Sequence, residues 1–217
     1  MTRPLPATIV AFTFALCSCS GFYYGAMKKL GKEKRDILVS RLVSGQKAQE
    51  QAKEQIQTTL EAFQKLTGFN GGDLEKIYKK LNGELEDADD RAKKMSEKID
   101  AIEKVGGDLF KEWGTEIESM RNASLRGQSQ VLLRDTRRRH LQHLRTMRLS
   151  EEKMAPVLRA FRDQVTFLKH NLNAKAISSL KQTAAGLDRE VASLVKDLEA
   201  SVKEADSYIA TLAKDSD

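Results

Sequence analysis

Two long stretches of this chain place apolar residues three and four positions apart with little interruption, and that spacing limits what the chain can become. Leu85, Ala88, Ala92, Met95, Ile99, Ile102, Gly106, Leu109, Trp113, Ile117 and Met120 form the first series. Met154, Leu158, Phe161, Val165, Leu168, Leu172, Ala176 and Leu180 open the second, which continues through Ala184, Leu187, Val191, Leu194, Leu198, Val202, Ala205, Ile209 and Leu212. A stripe that returns about every 3.5 residues is one face of a helix buried against other helices, and it gives no alternation on which a strand could be built. The composition agrees: 31% of the residues are charged, 6% are aromatic and only three are proline, as suits long helices rather than a mixed globule. The fold expected is all-α, an elongated antiparallel three-helix coiled-coil bundle behind an N-terminal signal segment.

The breaks define the arms. From Asp36 to Leu66 a thinner amphipathic stripe runs through Leu38, Leu42, Ala52, Ile56, Leu60 and Phe63. Three glycines between Gly68 and Gly72 end it, and Asp73 can cap a new start. Asn82-Gly83 reads as a second stop. Ser150, followed by Glu151 and Glu152, reads as a third helix start, with Pro156 as a kink or a frayed first turn. These marks give turns near 68–72, 82–84 and 148–151 within a helical region spanning 36–217. The arms are Phe22 to Asn82, Glu84 to Met147 and Glu151 to Leu212, each about 60 residues or roughly 90 Å long. A shorter first arm ending at Leu66, with 67–83 as a loop, is the alternative. In this register the arginine-rich stretch from Arg134 to Pro156 is the reversal, and Trp113 lies opposite Gly186. Gly106-Gly107 and Gly127 are soft points where a helix bends or a neighbour approaches.

The N-terminus is a separate object. Arg3, the apolar run from Ala7 to Leu16 and the small residues after it read as a secretory signal over 1–18. The run is too short to cross a bilayer, which takes about 20 residues. An uncleaved anchor is the alternative, because Gly21 to Ala26 can extend it. Leu16-Cys17-Ser18-Cys19 resembles the bacterial lipobox, with Cys17 where Ala or Ser is more usual. The resemblance implies that Cys19 is lipidated and becomes the mature N-terminus, and that Ser20 after it directs sorting to the outer membrane, facing the periplasm. Residues 19–35 would then be the lipid anchor and a basic, aromatic start, with Phe22, Tyr23 and Tyr24 beside Lys28, Lys29, Lys32, Lys34 and Arg35.

Chemistry is sparse. Eight arginines, Arg121, Arg126, Arg134, Arg137, Arg138, Arg139, Arg145 and Arg148, share the stretch before Ser150 with a single acid, Asp135, in a chain of net charge +6. Arginine suits bidentate phosphate contact. In the envelope those phosphates are lipid headgroups, which makes Arg134, Arg137, Arg138, Arg139, Arg145 and Arg148 the candidate lipid- or partner-binding residues; a solvated helix face is the plain alternative. A cytosolic chain would direct the same face to nucleic acid, and no nucleic-acid partner is expected here. His140 and His143 lie one turn apart and His170 on the other arm, and surface positions are expected for them rather than a metal site. The acids from Glu84 to Asp90 lack the spacing of a calcium loop. No nucleophile with its base, phosphate-cradling glycine loop or carboxylate pair is present, so no enzyme activity and no cofactor are expected.

The run FLKHNLNAKAI, Phe167 to Ile177, is the most individual in the chain, with Asn171 and Asn173 inside a continuous heptad pattern. Together with KRDILVSRL, GGDLEKIYKKL and LFKEW it resembles an uncharacterised bacterial family known only as a domain of unknown function. That resemblance implies a secreted or lipoprotein-like, mainly helical protein and brings no activity and no site residues. The function expected is a non-enzymatic envelope lipoprotein serving as a structural, spacer or adaptor element. The alternative is a periplasmic binding module or chaperone-like protein for envelope polymers or clients. The membrane, through the anchor, and an envelope protein or polymer are the expected partners, and an oligomer is possible.

Overall fold

The computed structural model describes residues 34–214, which form four α-helices and no strand. We number them α1 (Lys34–Thr67), α2 (Leu74–Ser119), α3 (Ala123–His170) and α4 (Ala174–Lys214). The signal segment, Cys19 and nearly all of the basic, aromatic start lie outside the described residues.

Each connection is short and chemically marked. α1 stops where the Gly68 amide donates to the Gln64 carbonyl, and the chain turns through Gly71 and Gly72, whose φ of +146° and +111° only glycine adopts without strain. Asp73 then caps α2 by accepting from the Lys76 amide at 3.0 Å. The second turn is three residues long: Met120 leaves the helix in an extended conformation, and the Asn122 side chain accepts from the Leu125 amide. In the third, the backbone turns at Asn171, and the Asn173 side chain accepts from the Ala176 amide at 3.0 Å.

Four helices replace the three expected arms, because the chain reverses at 120–122 and 171–173, where no turn was expected, while two of the expected breaks are helix interior. α2 runs through Asn82-Gly83. Leu81 and Leu85 are buried on either side, the Asn82 side chain bonds Glu86 within the helix, and the Glu84 carbonyl accepts from Gln55 and Thr59 of α1. Packing on both flanks outweighs the roughly 1 kcal/mol that a helical glycine costs. α3 runs through 148–151 and also contains Pro156. Ser150 is not a cap: its hydroxyl lies within donating distance of the Thr146 carbonyl in its own helix and, at 3.4 Å, of the Asp197 carbonyl of α4. Pro156 is on the exposed side, while Met154, Val157 and Leu158 stay buried around it, so one lost backbone bond does not end the helix. The arginine run is therefore the middle of a helix, and the reversals fall at 120–122 and 171–173.

Consecutive helices are antiparallel, and α1 also packs against α4, closing an up-down-up-down bundle in which each helix has two close neighbours. Arg35 of α1 donates to the Leu212 carbonyl of α4, Gln49 to Ser201, and Gln64 to Asp188, so these two helices run past each other along their length. Arg162 reaches Asp89 and Arg148 reaches Asp100 between α3 and α2. In the centre, Phe63 and Phe161 meet edge to face at 6.1 Å across the bundle. The expected register of Trp113 against Gly186 is not found: the Trp113 indole donates to the Ser129 hydroxyl at 2.9 Å, and the space around Gly186 is open.

The helices differ in reach. Lys34, at the start of α1, pairs with Glu112, and α4 ends at Lys214 near the same level. Beyond it α2 continues to Ser119 and α3 returns from Ala123, and no residue between 123 and 135 is buried.

Candidate functional site

The six candidate arginines share one helix but not one environment. Arg134 and Arg138 are exposed and bracket Asp135. Arg145 is exposed, and Arg137 lines a surface cleft of about 440 Å³ with Glu103, Lys111 and Phe110. Arg148 is committed elsewhere: its guanidinium bonds Asp100 at 2.6 Å, Glu103 at 2.7 Å and Glu151 at 2.9 Å. Burial opposes its charge, yet these three carboxylates hold its pKa above the ordinary arginine value. Arg139 is half-buried, reaches Thr136 and acts electrostatically on Tyr208. The structure thus divides the set into arginines that tie the bundle together and arginines that face outward. Arg134, Arg138, Leu141, Arg145 and Leu149 follow at spacings of four, three, four and four, which makes them one line along the outer face of α3. All five are exposed, Leu141 and Leu149 by 52% and 47%.

The opposite face of the same segment is the larger surprise. His140 and His143, expected on the surface, are 2% and 1% exposed. Counting back from Met154 in steps of four and three gives Ser150, Met147, His143, His140 and Thr136, all buried, so both histidines occupy core seats on α3. The spacing is present in the sequence, but the turn expected at 148–151 cuts the stripe before it reaches them. His170, the last residue of α3, is exposed and lies on the same helix as the other two.

The two imidazoles join a ring cluster at the Lys34 end of the bundle. Phe110 of α2 packs on His140 with centroids 5.2 Å apart, and Tyr208 of α4 stands 6.0 Å from His140 and 5.6 Å from His143. Room for His140 comes from Gly106, where any side chain would collide with the imidazole. The cluster is packed but not hydrogen-bonded: Nδ1 of His140, both ring nitrogens of His143 and the Tyr208 hydroxyl are buried without a protein partner among the described residues. Burial pushes His140 down from 6.5 to about 4, helped by His143 and opposed by Glu103. Burial also lowers His143, with Glu204 opposing. It raises the Tyr208 phenol, against the pull of Arg139 and Arg35. Among the described residues no group of three or more His, Cys, Asp or Glu side chains is placed to hold a metal ion.

The family described as "Protein of unknown function (DUF2959)" matches residues 23–212. The chain belongs to this family. The match takes in all of α1 to α3 and α4 as far as Leu212, so the four-helix body and the buried cluster lie within the family's extent. No curated protein and no solved structure matches the chain.

Proposed function

We propose that this family member works without catalysis as a structural, spacer or adaptor element of the bacterial cell envelope, anchored through a lipidated Cys19. On this reading the outer face of α3 lies against anionic lipid. The supporting observation is the exposed line Arg134, Arg138, Leu141, Arg145 and Leu149. Guanidinium groups interleaved with leucines suit a lipid surface, where cations meet headgroup phosphates and apolar side chains enter the boundary. Contact is made along the side of the helix, and Arg148, Arg139 and Arg137 are not needed for it. No helix among the described residues is long and apolar enough to cross a membrane.

Liposome flotation of the full chain carrying Cys19→Ser tests the reading. The protein should float with phosphatidylglycerol vesicles at low salt and less well with neutral ones. At roughly 1 kcal/mol for each basic residue near the surface, Arg134→Gln with Arg138→Gln and Arg145→Gln should lower partitioning by about two orders of magnitude. Equal flotation of both proteins would remove lipid as the ligand of this face and leave an envelope protein or polymer as its partner.

A further inference from the structure

The buried ring cluster is not needed to hold a bundle together, since leucines would fill its seats without unpartnered nitrogens. Its placement gives it a use. Tyr208 lies six residues before the end of α4 at Lys214, close to where Arg35 of α1 bonds the Leu212 carbonyl and Gln46 bonds Asp206. Helix ends open more readily than helix centres, and this layer lies near such an end.

Charge decides what holds it shut. A neutral imidazole fits between Phe110 and Tyr208 as an aromatic ring; an imidazolium has two donors and needs acceptors, and no protein acceptor reaches His143. Every helix contributes to the field. Arg35 approaches from α1, Glu103 from α2, Arg139 from α3 beside the histidines, and Glu204 from α4. Glu103 is already held by Arg148, and the two cations act on the Tyr208 end of the layer. Protonating one imidazole also opposes protonation of the other.

We propose that His140, His143 and Tyr208 form a proton-operated latch: the neutral rings close the Lys34 end of the bundle, and protonation of the histidines frees the last turns of α4. A mildly acid surrounding then loosens this end while the Phe63–Phe161 centre stays folded.

Hydrogen exchange of the full chain at pH 7 and pH 5, corrected for the intrinsic dependence on pH, tests the latch. Protection over 205–212 should fall at least about tenfold at pH 5, as suits an opening that takes up a proton, and protection over 85–99 should not change. His140→Leu with His143→Leu should abolish the response and leave protection at pH 7 intact. A response that survives the double substitution, or none in the native chain, overturns the latch. Should the double variant fail to fold, the native imidazole resonances decide. Midpoints below the ordinary value of about 6.5 support the latch, and midpoints at that value overturn it.

Discussion

The imidazole of His140 stands where a side chain on Gly106 would have to be. Gly106→Ala therefore drives a methyl group into a ring that Phe110 and Tyr208 hold in place, and overpacking of this kind should destabilise the protein by about 1–3 kcal/mol. Gly107, its neighbour, has open space around it. Gly107→Ala should instead be neutral or stabilise by up to about 1 kcal/mol, the helix-propensity gain. Chemical denaturation of the two variants separates close packing from backbone preference.

Global stability should fall in acid with a defined sign. The folded-state pKa of His140 lies near 4 and its unfolded value near 6.5, so the unfolded chain binds more protons between them. The contribution of His140 is complete above about pH 6.5. It declines as pH falls toward 4 and levels off below, a loss of about 3 kcal/mol, with His143 acting in the same direction. Denaturation midpoints from pH 7.5 to 4 measure it, and His140→Leu should flatten the curve in that window.

Pro156 offers a test of the continuous third helix. It is exposed and lies inside α3. Pro156→Ala restores a backbone donor and removes a ring clash, so stability should rise by roughly 1–3 kcal/mol. Were α3 to begin at Ser150 instead, the proline would sit in a first turn and the substitution would leave the denaturation midpoint where it was.

The two large aromatic sites should differ in cost. Phe63 is wholly buried and meets Phe161, so Phe63→Ala should cost about 3–5 kcal/mol. Trp113 is half-buried on the hairpin that passes beyond α1 and α4, with its indole bonded to Ser129. Trp113→Ala should cost about 1–2 kcal/mol, from partial burial and one hydrogen bond. Equal losses in thermal melts would contradict the difference in burial.

Arg148→Met breaks three contacts at once, and the guanidinium is a third exposed. Solvent screening limits the loss to about 1 kcal/mol. The loss should shrink further in 1 M salt, where the Debye length is only about 3 Å; a salt-independent loss would mean that packing of the guanidinium plane, not its ion pairs, makes the contribution.

The sequence by itself determined that the chain is helical, which residues make most of the core, and that glycines and Asp73 separate α1 from α2. Those features are local: a stripe every three to four residues and a side chain that bonds its own helix start act without reference to the rest of the fold. Where the other helices end was decided by the tertiary structure. Asn82-Gly83 is a good stop in isolation, but Leu81 and Leu85 are clamped by neighbours and the helix continues. Asn171 and Asn173 look like polar heptad positions, yet with α4 folded back onto α3 their side chains serve the turn. In α4 the core seats fall to Ser201 and Tyr208 rather than Val202 and Ile209, because Gln49 supplies a partner across the bundle and the histidines supply a ring surface. The arginine run could be read from composition as a charged surface. That its outer face is exposed while His140 and His143 on its inner face are buried follows only from α2 and α4 lying against that side of α3 and excluding water from it.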